Sequence, residues 1–371
     1  MPAEYPQFKA AACHVAPVYL DSAGSAEKAV ALIGEAARAG ADLIVFPEGY
    51  MPGFPLWVAL RAPIHNHDLF KRLAAQSVRL DGVEIGAVRA AARRHGVVVS
   101  LGFSESTEAS VGCLWNSNVL IGRDGAILNH HRKLVPTFYE KLVWANGDAR
   151  GLRVTQTEIG RVGMLICGEN TNPLARYALM AQGEQVHIST YPPAWPTRRP
   201  GESAAYDLKR AIEIRAGAHA FEAKVFNIVC SAVLDEAARS VLCDGDAALA
   251  DIVERTPAGV SMVLDPTGSH VVEPHQGAET IVYADIDVAA CVEPKQFHDV
   301  VGYYNRFDIF QVKVDRTPRE PISFEAAAAP PAAQGADRGG GDPGTFGPVL
   351  AWSGHEGGDQ AAAPPLRRHG N

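Results

Sequence analysis

Arg161-Val-Gly-Met-Leu-Ile-Cys167-Gly-Glu169-Asn170 is an apolar run that stops at a cysteine. Residues 162–166 have the length and apolar content of a short buried strand. Asn172-Pro173 then precedes Leu174-Ala-Arg-Tyr-Ala-Leu-Met-Ala-Gln182, the pattern of a helix with a capping residue and an early proline. A thiol at that junction sits at the mouth of a helix, whose free N–H groups favour thiolate over thiol, and the thiolate is the reactive form. Position alone therefore makes Cys167 a candidate nucleophile. Set against this, a lone cysteine at a strand end is more often a small buried hydrophobe.

Working outward, short β-branched runs alternate with alanine-rich amphipathic segments, which predicts an α/β fold of sheet layered with helices. Strands are expected over residues 9–15, 43–46, 97–101, 225–230 and 280–286, and helices over 26–38, 83–95 and 204–223. Asp124-Gly125 marks one hairpin and Asp265-Pro-Thr-Gly268 a second. Hairpins mixed with crossovers imply both parallel and antiparallel pairs. The strand 43–46 stops at Pro47-Glu48, a strand exit like the one at Cys167, so adjacent strands of one sheet are expected to present both side chains from the same end.

The chain has 371 residues, 47% of them hydrophobic and 20% charged, which is ordinary for a soluble globular protein. A formal charge of -8 argues against a nucleic-acid binder, and the basic cluster at 89–94 reads as a solvated helix face. No signal pattern opens the chain and no apolar stretch is long enough to span a bilayer, so a cytoplasmic protein without membrane contact is expected. Six scattered cysteines without CxxC pairs suggest reduced thiols, neither a disulfide framework nor a zinc site. Beyond Ala326 the composition turns to Ala, Pro, Gly and Gln, giving an expected domain of residues 1–324 and a disordered tail over 325–371. The G-x-G-x-x-G at Gly339, Gly341 and Gly344 lies in that tail without a flanking strand or helix, so it is not a dinucleotide site. Asp244-Gly-Asp246 lacks the ligand spacing of a calcium loop and reads as surface.

A cysteine nucleophile needs a base, and Glu48 is the carboxylate at the second strand exit. Lys133 follows Ile127-Leu-Asn-His-His-Arg132 and is a cation that could stabilise charge developing on a substrate atom. Glu140, in Pro136-Thr-Phe-Tyr-Glu140, could orient Lys133 or the substrate. His14, His130 and His131 also allow a Cys/His arrangement, because such sets are spatial and not sequential. The residues alone leave the base as Glu or His.

Taken together, Phe46-Pro47-Glu48, His131-Arg132-Lys133-Leu134-Val-Pro136-Thr137 and Cys167-Gly168-Glu169-Asn170 resemble the signatures of the nitrilase superfamily of carbon-nitrogen hydrolases. Pro173-Leu174-Ala175-Arg176, Gln182-Gly183-Glu184-Gln185-Val186-His187 and Tyr191-Pro192-Pro193-Ala-Trp195-Pro196 resemble its true nitrilase branch. The resemblance runs from Phe8 to about Phe324 and implies an α-β-β-α sandwich. It implies Glu48 as general base, Lys133 as charge stabiliser, Cys167 as nucleophile and Glu140 as supporting acid, with no metal or organic cofactor. The implied reaction is hydrolysis of a nitrile through a Cys-bound thioimidate and thioester to a carboxylic acid and ammonia. Hydration to the amide, hydrolysis of amides, or a mainly scaffolding role remain alternatives. Self-association into dimers and spiral filaments is implied as well, with a tail that could modulate it. Where many nitrilases carry Tyr, this chain has Phe54 in Pro52-Gly53-Phe54-Pro55, which removes a hydroxyl. Phe54, Trp57, His131, Tyr191 and Trp195 are the expected substrate-binding residues, forming an apolar aromatic site suited to arylacetonitriles or aliphatic nitriles.

Overall fold

Side chains along a strand alternate between two faces, and here both faces are apolar, so the sheets must be covered on both sides. In β1 (Gln7–His14), Phe8, Ala10 and Ala12 point one way and Ala11 and Cys13 the other, and all five are buried. β2 (Leu43–Val45) repeats this with Leu43 and Val45 against Ile44. The computed structural model, which describes residues 5–199, 201–202 and 206–317, resolves this pattern into a four-layer sandwich. The segment 325–371 and its glycine motif lie outside the described residues.

The helices of the first half are α1 (Ser22–Arg38), α2 (Trp57–Leu60), α3 (His67–Gln76) and α4 (Val83–His95). The first sheet continues through β3 (Val98–Thr107), β4 (Ser110–Ile121) and β5 (Ile127–Arg132). Next come β6 (Thr155–Thr157), β7 (Gly160–Ile166), α5 (Pro173–Met180), β8 (Val186–Tyr191), α6 (Leu208–Ala223) and β9 (Phe226–Ser231). The described elements end with α7 (Glu236–Cys243), α8 (Ala247–Arg255), β10 (Met262–Leu264), β11 (Thr280–Asp287) and α9 (Val292–Phe297). The first sheet has the order β11-β1-β2-β3-β4-β5 and the second β10-β9-β8-β7-β6, each mixing parallel and antiparallel pairs. Inward residues of both sheets, among them Val45, Leu120, Met164, Ile188 and Ile228, share one core. α1 and α4 cover the outer face of the first sheet, and α5 and α6 that of the second.

Local chemistry sets most boundaries. Asp21 caps α1 by accepting from the Gly24 N–H at 3.0 Å, and Gly96 ends α4 in the left-handed region that glycine favours. Asp207 caps α6 by accepting from the Arg210 N–H at 2.9 Å, so that helix starts at Leu208 and not at residue 204. Asp244 and Asp246 end α7 and cap α8 in a surface turn. The turn at Asp265–Gly268 forms and closes a short antiparallel hairpin, with the Val271 N–H donating to the Val263 carbonyl at 2.8 Å, while β11 beyond it crosses over to pair antiparallel with β1 in the other sheet.

Gly102 on β3 is where the first sheet meets the exit of β2. A Cβ there would sit 2.2 Å from the Pro47 carbonyl oxygen and 3.1 Å from the Glu48 Cα, so only a bare backbone lets the chain around Glu48 lie this close. Gly102→Ala should cost roughly 1–3 kcal/mol of stability through overpacking, read from urea unfolding. An alanine variant as stable as the parent would show that the two segments can move apart freely.

Candidate active site

Three chain reversals bring four ionisable side chains into one buried cluster. Glu48 leaves β2 behind Pro47 and is 1% exposed. Lys133 leaves β5, held by its N–H donating to the Asn116 carbonyl at 2.8 Å. Glu140 lies in a short 3-10 turn, Phe138–Leu142, where it and Thr137 cap each other reciprocally. Cys167 opens a second 3-10 turn, Cys167–Thr171, directly after β7. Lys133 Nζ donates to Glu48 Oε1 at 2.7 Å and to Glu140 at 2.7 and 2.9 Å. One carboxylate oxygen from each glutamate and the Cys167 sulfur lie within 4.8 Å of one another.

The sandwich corrects one expectation: β2 belongs to the first sheet and β7 to the second, so Glu48 and Cys167 meet from facing sheets and not from adjacent strands of one. It corrects a second as well. α5 begins only at Pro173, capped by Asn172, and Cys167 precedes it in a 3-10 turn with φ of +49°. Burial and then Glu48 push the thiol well above its usual 9.0, with Lys133 opposing, so the resting group is a thiol that needs a base. Burial alone would lower the Lys133 pKa, but Glu140 and Glu48 reverse this and fix it as an ammonium. Burial raises Glu140 to about 7 against the pull of Lys133.

Glu48 Oε1 also accepts from Asn116 Nδ2 at 2.8 Å, while its Oε2 is buried without a hydrogen-bond partner. Such atoms are rare in folded proteins, and here the free oxygen belongs to the carboxylate that shares a cluster with the Cys167 thiol. Every histidine raised as an alternative base is bound elsewhere. His14 pairs with Ser261 Oγ at 2.9 Å, His130 with Glu105 at 2.8 Å and His131 with Glu169 at 2.9 Å.

His131 is thus not in a substrate-facing wall. It is fully buried and orients Glu169, whose carboxylate accepts from the Leu134 N–H at 2.6 Å and the Ile166 N–H at 2.8 Å. This one side chain ties the residue after Lys133 to the residue before Cys167. Asn116, Glu169, Asn170, Tyr139 and Arg215 all touch or support the cluster and were not singled out as site residues. Asn116 and Glu48 are 68 positions apart and Glu169 and Leu134 35, so spacing carries no sign of those pairs, whereas Asn170 bonds locally to the Cys167 carbonyl. Arg215 on α6 donates to Tyr206 Oη at 2.6 Å, and its charge acts to lower the Cys167 pKa.

A cleft of about 790 Å³ is lined by Phe138, Trp195, Tyr206 and Ile214 among others, with Phe138 in the same 3-10 turn as Glu140. Trp195 stacks on Tyr139 at 4.3 Å, and Phe54 packs against Trp195 at 6.1 Å and Trp144 at 5.5 Å. Phe54 also lines a small cavity with Glu48. Of the expected aromatic residues, Phe54 and Trp195 are brought together. Trp57 and Tyr191 are almost fully buried, and each leaves its polar atom without a partner. Among the described residues two groups offer three metal-type ligands, Glu48-Glu140-Cys167 and Glu184-His187-His219. In the first, the Lys133 ammonium already occupies the centre that a cation would take.

Residues 9–296 match the carbon-nitrogen hydrolase family model. A nitrilase from Paraburkholderia phymatum is 35% identical over 86% of this chain and 92% of its own. A cyanide hydratase from Gibberella zeae is 33% identical over 85% of this chain and 89% of its own. The crystal structure of a carbon-nitrogen hydrolase from Helicobacter pylori superposes with a TM-score of 0.64 at 20% identity, covering 82% of this chain and 97% of the other, and shares the fold. With a two-sheet sandwich, a buried Glu-Lys-Cys cluster at its strand exits and relatives matched over most of their length, the chain belongs to the carbon-nitrogen hydrolase family.

Proposed function

We propose that the protein is a nitrilase that converts a nitrile and two waters into a carboxylic acid and ammonia, with Cys167 as nucleophile. The observation that carries this reading is the Glu48–Lys133–Glu140 cluster beside the thiol, in which one carboxylate oxygen, Glu48 Oε2, is left free to accept a proton. The Cys167 sulfur attacks the nitrile carbon as its proton passes to Glu48 and then to the nitrogen, giving a thioimidate. Lys133 stabilises the nitrogen as it gains negative charge, without reorganising to do so. Water, deprotonated by Glu48, adds to the thioimidate carbon, and the tetrahedral adduct expels ammonia to leave a thioester. A second water releases the acid and restores the thiol. Glu140 acts as a positioning residue, since its carboxylate holds the Lys133 ammonium through two hydrogen bonds.

The aromatic wall of Trp195, Tyr139 and Phe54 favours arylacetonitriles or medium aliphatic nitriles as substrates. A second reading, hydration that stops at the amide, is favoured by the cyanide hydratase relative at comparable identity. No described helix is long and apolar enough to cross a membrane, and the exposed apolar residues Ile214, Phe221, Tyr303 and Phe310 favour self-association.

With a panel of phenylacetonitrile, benzonitrile and a dinitrile beside the matching amides, the expected products are ammonia and acid from nitriles, with phenylacetonitrile preferred over benzonitrile. Cys167→Ala should lower kcat by on the order of 10⁴-fold or more with the fold intact by circular dichroism. Amide as main product would select hydration, and substantial activity in the alanine variant would remove Cys167 from its role. A protonated Glu140 gives up its charge to leave Lys133 drawn wholly to Glu48, which weakens the base. kcat/KM should therefore rise with pH through about 7, and Glu140→Gln, fixed in the uncharged form, should be slow and lack that limb. An unchanged profile in Glu140→Gln would overturn this account of Glu140.

A further inference from the structure

Glu184 and His187, from the Gln182–His187 segment, have no part in the chemistry above, yet they meet the nucleophile's turn inside the protein. Asn170 Nδ2 donates to the carbonyl oxygens of Cys167 at 3.1 Å and Leu165 at 3.3 Å. Its Oδ1 accepts from Ser189 Oγ at 3.1 Å and faces His187 Nε2 at 3.0 Å. His187 Nδ1 lies 2.6 Å from Glu184 Oε1, and His219 Nε2 lies 2.7 Å from Glu184 Oε2. All these residues are buried. The site has been cleared for the carboxylate: a Cβ on Gly163, the β7 residue paired with His187, would come within 1.9 Å of Glu184 Oε1.

Counting hydrogens fixes the protonation of this network. The Asn170 oxygen has no hydrogen to give, so His187 Nε2 must carry one, and the short contact at Nδ1 needs another. Glu184 and His187 together therefore hold one proton more than a carboxylate beside a neutral imidazole. His219 supplies no further charge, because its Nε2 proton serves Glu184, its Nδ1 is unpartnered, and burial followed by His187 holds it at about 4. Burial works against a charged Glu184, but His187 and His219 outweigh it and keep the carboxyl at about 2, so Glu184 stands as the carboxylate of the pair. The Leu165 and Cys167 carbonyls can only accept, so they fix the orientation of the Asn170 amide with its N–H groups toward them and its oxygen toward His187. The Cys167 carbonyl belongs to a residue at φ of +49°, a left-handed conformation that non-glycine residues seldom hold unaided.

We propose that His187, as an imidazolium paired with Glu184, is a positioning residue that acts through Asn170 to hold Cys167 in its attacking conformation. The proposal rests on Cys167 being the nucleophile. Substitution of His187 separates its two bonds: in His187→Gln the amide nitrogen stands in for Nε2 and keeps the donor to Asn170, whereas in His187→Asn it stands in for Nδ1 and that donor is lost. His187→Asn should lower kcat about 10- to 100-fold with KM changed less than about twofold, in line with a misplaced reacting group, and should slow alkylation of Cys167 by iodoacetamide, read by mass. His187→Gln should recover most of both at a similar Tm. Equal losses in the two variants, or losses that follow Tm, would overturn the proposal. Should either variant fail to fold, Asn170→Asp decides: its carboxylate, held charged beside His187, has no hydrogen for the Cys167 carbonyl, so kcat should fall about 10- to 100-fold at little-changed KM and alkylation of Cys167 should slow. Wild-type kcat and alkylation in Asn170→Asp would reject the proposal. Activity persisting in Cys167→Ala would instead sink the nucleophile reading. An inactive Cys167→Ala, together with normal alkylation in His187→Asn, would sink the positioning role alone.

Discussion

A fully buried ammonium held between two buried carboxylates is the constraint around which the molecule is arranged. Removing three charges from water carries a desolvation penalty of several kcal/mol per ion, which only near-ideal geometry and further hydrogen bonds offset. The structure supplies both. Asn116 takes up one lone pair of Glu48, the Thr137 N–H takes up one of Glu140, and the capping exchange in the 3-10 turn fixes where Glu140 can stand. One oxygen remains outside this scheme. The protein tolerates an unpartnered Glu48 Oε2, and the amide oxygen of Asn116 and the Tyr139 hydroxyl are likewise buried without a partner, a concentration of departures expected at a functional site.

Around the cluster stand two further carboxylate–imidazole pairs, and they work on backbone where the first works on side chains. Glu169 with His131 joins the Leu134 and Ile166 amides, fixing the spacing between the ammonium's loop and the thiol's turn. Glu184 with His187 reaches the same turn from the far side, through Asn170. Both use the same economy: a buried carboxylate accepts several N–H bonds at once and is itself held charged by an imidazole. The Glu169 carboxyl illustrates the balance, since burial would raise it but His131 and the two backbone N–H groups hold it below its usual value.

Much of this was legible in the sequence because strands and their exits write themselves in period and punctuation. Pro47-Glu48 and Cys167 each end an apolar run, Lys133 follows the more polar strand Ile127–Arg132, and the strands and helices fall within a few residues of where periodicity puts them. Two kinds of information were not written there. Sheet membership is one: the pattern of β2 and β7 is the same whether they are neighbours or face each other, and only the crossovers place them in separate sheets. The other is the partner of each polar residue. His131 reads as a candidate wall residue from its place beside Lys133, yet strand alternation turns it inward to Glu169, 38 positions away. The helix-mouth argument for a thiolate failed for a similar reason, because a 3-10 turn and a capped proline stand between Cys167 and the helix proper.

That Glu48 and Cys167 belong to opposite sheets gives the interior of the sandwich a second office. The layer of Val45, Leu120, Met164 and Ile188 is a spacer of about 10 Å between packed sheets, and at the strand exits the side chains of Glu48 and Cys167 close that spacing to within 4.8 Å. Residues with no contact to the cluster thereby act as shims. The core of this protein thus doubles as the spacing of its candidate site.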